Sequence, residues 1–298
     1  MLDDGGLGSV LIAKNFTKML YFEKGEADTR TRVYLKKIAL LLINWLSNGL
    51  ISTVNSWPSN LFVIYNSRSS KRYAEMNSVP TRNAGLIYSG IDLSKFVFKP
   101  RPNLSEPIQI IVPGRICKEK GTIDAVKLMS LLRDLKIQAN LIIIGKVDST
   151  DYYMEICNEI KNNNLNDIVF LDMVDQDRLT SLYLQSDICF FPSYQKYGLS
   201  RTPLEAMACG CILITYGNEG SHEIVQHCKT GFSVPEGDVD IAAKTIKERI
   251  LQSNNIHSMV LQARSVIENH YSLDQYIHQF EKYLLSKVPQ AIKMDIKK

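Results

Sequence analysis

Between residues 108 and 234 the sequence repeats one pattern: a short, unbroken apolar run, then a longer stretch with helical spacing. The runs fall at residues 108–112, 141–144, 168–171, 188–191, 211–215 and 231–234. A strand with one wet face alternates apolar and polar residues. Runs that do not alternate need cover on both faces, as in a parallel sheet. Between them the spacing predicts helices at 122–135, 152–162, 177–185, 203–209 and 221–227. Strand and helix in alternation are the signature of a doubly wound α/β domain. Three more helices are expected near 240–252, 258–270 and 273–285, and residues 287–298 read as a frayed basic tail.

The first hundred residues read differently. Residues 10–21 and 33–46 carry helical apolar spacing, 62–65 reads as a strand, 68–75 as a short helix and 86–88 as a strand. Before residue 62 no convincing strand is expected. Lys99-Pro100-Arg101-Pro102 with Ser105-Glu106-Pro107 reads as a proline-rich linker. The expected domains are therefore a truncated, mainly helical N-terminal part over 1–103 and a complete α/β domain over 104–286.

Composition narrows the function. A chain of 298 residues with 45% hydrophobic and 22% charged residues can bury a core. The net charge of +4 carries no concentrated basic run, so a nucleic-acid partner is not expected. The six cysteines form no CxxC pair and read as buried free thiols of a reducing, cytoplasmic compartment. The start, Met1-Leu2-Asp3-Asp4, lacks the basic region of a signal peptide. The most apolar run, 38–46, is far short of the roughly 20 residues of a membrane span. A core or amphipathic helix fits it, and peripheral contact with a membrane face is the alternative.

Three constellations follow strands and open helices. The first is Pro113-Gly114-Arg115-Ile116-Cys117-Lys118-Glu119-Lys120-Gly121. Loops at the carboxyl ends of parallel strands face the ligand crevice, and Arg115 and Lys120 can converge there on one diphosphate. The second runs from Phe191 through Tyr197, Gly198, Leu199, Pro203, Leu204 and Glu205 to Gly210. Pro203 and Glu205 are expected in the first helical turn, whose free N–H groups form an anion site. Glu205 could accept hydrogen bonds from ribose hydroxyls, or serve only as a first-turn acid. The third is Gly217-Asn218-Glu219-Gly220-Ser221-His222-Glu223, with Ser221 as expected N-cap. Asp238-Val239-Asp240 and Asp175-Gln176-Asp177 spell DxD-type triplets but read as helix caps, so no metal is expected.

Taken together, these segments resemble the group 1 (GT4-type) retaining glycosyltransferases. The match rests on Gly114-Arg115-x5-Gly121, the strand ending Pro192-Ser193, Pro203-Leu204-Glu205-Ala206-Met207-Ala208-Cys209-Gly210 and Glu219-Gly220-x-x-Glu223. Tyr88-Ser89-Gly90-Ile91-Asp92-Leu93-Ser94-Lys95-Phe96 looks like the family's interdomain segment, and the resemblance spans roughly residues 62–286. It implies a GT-B fold whose C-terminal Rossmann-like domain binds a UDP- or GDP-linked sugar. By position, Arg115 and Lys120 would neutralise the diphosphate and Glu205 would hold the ribose. Gly114, Lys146, Val174, Tyr197, Gly198, Leu199, Leu204 and Glu223 would line the donor. The implied acceptor is a glycan or lipid-linked glycan, with no metal cofactor.

The sequence departs from the family in two places. Counting back from Glu205 to the family's paired glutamate gives Tyr197, or Gln195 if Gly198-Leu199 is aligned instead. The N-terminal part is also short, with no histidine before His222, although Asp4-Gly5-Gly6-Leu7-Gly8-Ser9 resembles a glycine-rich acceptor loop. The alternative to an active transferase is therefore a catalytically inactive donor-domain remnant, or one half of a split enzyme whose second chain supplies the missing part. A sugar-nucleotide epimerase would have only Glu205, Glu219, His222 and Glu223 to draw on. A nicotinamide dehydrogenase is not favoured, because no GxGxxG follows a strand.

Overall fold

The computed structural model describes residues 9–13, 21–23, 61–76, 84–100, 104–253 and 255–287. The chain divides into two compact units. The larger holds Ser89–Lys196 and Ser200–Lys282; the smaller holds the described residues up to Tyr88, Tyr197–Leu199 and the chain from Tyr283.

In the smaller unit, β1 (Ser9–Ala13), β2 (Tyr21–Glu23), β3 (Leu61–Tyr65) and β4 (Gly85–Leu86) form one sheet in the order β2-β1-β3-β4. β1 runs antiparallel to both β2 and β3, while β3 and β4 are parallel. Helix α1 (Arg68–Met76) follows β3. Buried Ser67 caps it, accepting from the Ser70 N–H at 3.0 Å.

The helix expected over 10–21 is thus corrected: its described residues are strands, and two strands precede residue 62. The run Val10-Leu11-Ile12-Ala13 pairs with 61–64 of β3. A short apolar run does not distinguish helix from strand, and a partner some fifty residues away decided the matter. The expected helix at 33–46, the glycine-rich segment 4–8, Arg101-Pro102 of the linker and the tail from 288 lie outside the described residues.

The larger unit is a six-stranded parallel sheet. Its strands are β5 (Ile108–Pro113), β6 (Ala139–Ile144), β7 (Ile168–Leu171), β8 (Ile188–Phe191), β9 (Ile212–Thr215) and β10 (Phe232–Ser233). They lie in the order β10-β9-β8-β5-β6-β7. The chain winds outward from β5 through β6 to β7, then returns to lay β8 on the other side of β5. That reversal opens a crevice between the carboxyl ends of β5 and β8, where open α/β sheets bind ligands.

The connecting helices are α2 (Thr122–Asp134), α3 (Thr150–Asn162), α4 (Gln176–Gln185), α5 (Arg201–Cys209) and α6 (Ser221–Ile224). Burial explains the unbroken apolar runs: all four residues of β8 and of β9 are buried. Ile108, Ile110, Phe190 and Ile214 are at most 1% exposed and belong to one core with α2. Each such side chain contributes about 1.5–3 kcal/mol of burial.

Three local expectations need correction. Helix α5 begins at Arg201, not Pro203, which moves Glu205 into the second turn. Gly220, at φ 72°, caps α6, so Ser221 is its first residue rather than its N-cap. The helix expected at 240–252 is α7 (Val239–Lys244) followed by a π-helical turn over Thr245–Ile250. There the Leu251 N–H donates to the Ile246 carbonyl, five residues back, at 3.0 Å.

The DxD triplets are caps, as expected. Asp175 accepts from the Arg178 N–H at 2.8 Å and Asp238 from the Ile241 N–H at 2.9 Å. Two last helices, α8 (Ile256–His270) and α9 (Leu273–Lys287), complete the described chain. From α8, the Arg264 guanidinium donates to the carbonyls of Phe96 and Ala208, at 2.8 and 2.9 Å. It thereby satisfies an acceptor at the carboxyl end of α5 and fixes the 89–100 segment to the larger unit.

All six cysteines are free. Cys117, Cys189, Cys209 and Cys211 are buried, Cys157 is half-buried and Cys228 is exposed.

Candidate functional site

The β5 loop reaches the crevice first. Gly114, at φ +150°, has open space where a Cβ would sit, so its backbone is accessible to a ligand. Arg115 is half-exposed and pairs with Asp148 of the β6 loop at 2.5 Å. The loop then tightens into a 3-10 turn, Lys118–Lys120, closed by Gly121 at φ +65°. Gly121 is required on two grounds: its backbone is left-handed, and a Cβ there would lie 2.1 Å from the Pro192 carbonyl oxygen. That close approach presses the β5 loop against the β8 loop at the sheet reversal.

Lys120 points into this junction. Its ammonium lies 5.7 Å from the centre of the Phe191 ring and pairs with the carboxylate of Glu219. Glu219 in turn accepts from the Ser193 hydroxyl at 2.9 Å. Residues from the loops after β5, β8 and β9 therefore meet around one carboxylate. The Asn218 amide joins two of these loops again, donating to the Ser193 carbonyl at 2.7 Å and to Glu236 at 2.5 Å. The Glu236 carboxyl is held below the usual carboxylate range by its hydrogen bond from Lys196, with Asn218 contributing.

Beneath the loops a polar cluster sits in the core. Asp124 of α2 is buried and accepts from the Tyr194 and Tyr216 hydroxyls, at 2.5 and 2.9 Å. Burial, reinforced by the Asp124 carboxylate, pushes both phenols up. Tyr152, whose hydroxyl accepts from the Ile123 N–H at 3.0 Å, is pushed up to about 12 by burial.

Glu205 is buried on α5, accepting from the Tyr183 hydroxyl at 3.2 Å. The Arg201 guanidinium lies 3.4 Å from its other oxygen. Because α5 starts at Arg201, the N–H groups of Glu205 and Ala206 fall inside the helical ladder. The first-turn N–H groups outside the ladder belong to Arg201 and Thr202, since Pro203 has none and the Leu204 N–H begins the ladder. Leu204 is fully buried, backbone and side chain alike, so its part in the site is packing rather than contact with a ligand.

The remaining predicted residues are spread more widely. Lys146 is exposed after β6, its carbonyl accepting from the Ile116 N–H at 2.8 Å. Val174 is half-buried in the loop after β7. Tyr197, Gly198 and Leu199 group with the smaller unit: Tyr197 stacks on Tyr73 with ring centroids 3.9 Å apart, and Ser69 donates to the Gly198 carbonyl at 3.1 Å. Glu223 lies 3.9 Å from His222, whose Nδ1 is 2.8 Å from the Gly217 carbonyl oxygen.

Among the described residues, no three His, Cys, Asp or Glu side chains form a group that could hold a metal. No described helix is long and apolar enough to cross a membrane. The sequence reading missed Asp148 and Ser193 as partners of this site, and it did not link Glu219 to Lys120. Asp148 carries no pattern signal; Ser193 stood inside the strand-ending Pro192-Ser193 pair.

Residues 95–266, more than half the chain, match the family described as glycosyl transferases group 1. The chain belongs to this family. It is 24% identical over 228 residues to an uncharacterized glycosyltransferase of Methanocaldococcus jannaschii, covering 74% of this chain and 57% of the relative. It is 27% identical over 210 residues to the glycogen synthase of Mycobacterium tuberculosis, covering 68% of this chain and 50% of that enzyme. The chain thus spans about half the length of these curated relatives. Among solved structures, the Anabaena protein Alr3699/HepE in complex with UDP-glucose superposes with a TM-score of 0.67 at 20% identity. It covers 75% of this glycosyltransferase chain and 63% of its own. The α/β glycosyltransferase fold expected from the sequence is the fold observed, except that the N-terminal part, expected to be mainly helical, holds a four-stranded sheet among its described residues.

Proposed function

We propose that this glycosyltransferase chain binds a UDP- or GDP-linked sugar at the carboxyl edge of its parallel sheet and transfers the sugar, with retention, to a glycan or lipid-linked acceptor. The observation that carries the reading is the placement of Arg115, Lys120 and the open backbone of Gly114 on the loop after β5, at the sheet reversal. Supporting it, the HepE structure of the same fold holds UDP-glucose. An Erwinia amylovora relative is named for amylovoran biosynthesis, which favours a polysaccharide acceptor.

In this reading the bond from the sugar's anomeric carbon to the diphosphate oxygen breaks as a bond to the acceptor oxygen forms, and the acceptor hydroxyl's proton passes to the departing diphosphate. Charge grows on the leaving diphosphate, where preorganised cations stabilise it most. Arg115 supplies a planar fork and Lys120 a point charge, so the charge is met without a metal. Glu205 would accept from the ribose hydroxyls. Val174 and Lys146 would flank the nucleoside, while Tyr197–Leu199 and the first-turn N–H groups of α5 would border the sugar and phosphates. Glu223 would close the sugar end. A cytoplasmic setting, with peripheral membrane contact, suits six free thiols and an intracellular donor.

One observation favours the second reading, a donor-binding half without catalysis of its own. The position of the family's donor-side carboxylate carries Tyr197, or Gln195 when Gly198-Leu199 is aligned; neither is a carboxylate, and the Tyr197 ring is stacked on Tyr73. In that reading a second chain supplies the acceptor side.

Calorimetric titration with UDP, GDP and their sugar conjugates separates these readings from none at all. Micromolar binding, weakened by about 1.5–3 kcal/mol in Arg115→Ala, is expected from loss of a charged hydrogen bond. The absence of nucleotide binding in the intact chain would overturn the donor-site assignment. Binding without transfer by the chain alone would decide for the second reading, and transfer restored by an added partner chain would identify it as one half of a split enzyme.

A further inference from the structure

Glu219 stands where its backbone is uncomfortable. Its φ is +48°, in the left-handed region that glycine adopts freely and a side chain resists. Such strain persists only where the surroundings over-determine it, and it gathers at functional sites. Here the surroundings do so. The Glu219 N–H donates to the Gln195 carbonyl at 3.0 Å, and its own carbonyl accepts from the Ser200 N–H at 3.2 Å. Both ends of the loop that carries Tyr197–Leu199 are thereby fastened to one residue.

That geometry would be served better by glycine, as in the neighbouring Gly217 and Gly220 at φ 78° and 72°. What a glycine would lack is the carboxylate. In Glu219 it is 3% exposed, and it meets the ammonium of Lys120, itself 17% exposed, together with the Ser193 hydroxyl. A nearly dry anion has been placed on the cation assigned to the donor's diphosphate.

Resting on that assignment, we propose that Glu219 is a resident counter-ion: it occupies Lys120 while no diphosphate is bound and competes with it when one arrives. The competition has a use. A half-buried lysine facing a diphosphate with no rival would hold the product nucleotide as firmly as the donor. A carboxylate fixed by strained backbone, ready to take Lys120 back, loosens the nucleoside diphosphate after transfer. Glu219 is on this view a positioning residue that acts through Lys120.

The test is calorimetric binding of UDP against uridine, or GDP against guanosine for whichever base the wild type accepts. It is run on the full chain and on Glu219→Gln and Glu219→Gly. Glutamine keeps the shape and removes the charge; glycine also relaxes the backbone, which guards against a folding failure. The expected result is diphosphate binding about tenfold tighter in both variants, the scale of one charged hydrogen bond partly screened by solvent. Binding of the bare nucleoside should stay unchanged. Wild-type diphosphate binding with no gain in either variant overturns the counter-ion alone, as does equal tightening of nucleoside and diphosphate. A wild type that binds no nucleotide overturns the donor-site reading, and this proposal with it.

Discussion

A few positions decide the site. Gly121 combines a left-handed backbone with a carbonyl contact that leaves no room for a Cβ. Gly121→Ala is expected to destabilise the fold by about 1–3 kcal/mol, combining the left-handed penalty with displacement of the β8 loop. Urea unfolding of the two proteins measures this, and an unchanged midpoint would refute the contact. This residue was legible in the sequence, because a glycine closing a charged loop before a helix has few other reasons to be there. Arg115 and Lys120 were legible as cations in a strand-following loop. Their partners Asp148 and Glu219 were not, because a pairing between loops thirty or a hundred residues apart leaves no local trace.

Elements were read well where periodicity is local and poorly where pairing is distant. The central strands β8 and β9 came through because burial on both faces writes an unbroken apolar run, and the edge strand β7 keeps the apolar run although none of its residues is fully buried. β1 did not, because its run is short and its partner β3 is remote in sequence. The start of α5 was placed two residues late, with Pro203 taken as its first-turn marker. Proline is tolerated anywhere in the first turn, so it does not mark a unique position there. Caps were more informative. Asp175 accepts from the Arg178 N–H, so Asp175→Ala should cost about 1 kcal/mol in thermal or urea unfolding. A cost indistinguishable from zero would mean that water replaces the cap.

For the molecule as a whole, phenols in and beside the core contribute to an alkaline limit of stability. Tyr152, Tyr194 and Tyr216 are all raised above the ordinary tyrosine value of 10, chiefly by burial. Unfolded, they ionise near that ordinary value; folded, they resist. Their contribution is therefore complete below pH 10 and is lost as pH rises from there toward 12 and beyond. Absorbance titration of the fourteen tyrosines should show a late fraction that ionises only as near-UV structure disappears. Ionisation of all of them near pH 10 in a still-folded protein would contradict the buried cluster. The acid side has the opposite sign. Glu236 is lowered, so its contribution holds above the ordinary carboxylate value and fades as pH falls through the lowered one.

The reversal of the sheet also orders events in time. Arg115 and Lys120 belong to the loop after β5, the first strand of the larger unit's sheet, yet the carboxylate that receives Lys120 follows β9, some hundred residues later. A chain emerging from synthesis can assemble β5, β6 and β7 through neighbouring segments alone. The pairing that closes the binding edge must wait for distant chain, and contacts of such long sequence separation are the slow ones to form. The loops of the site can therefore meet only after β8 and β9 have joined the sheet that β5 began.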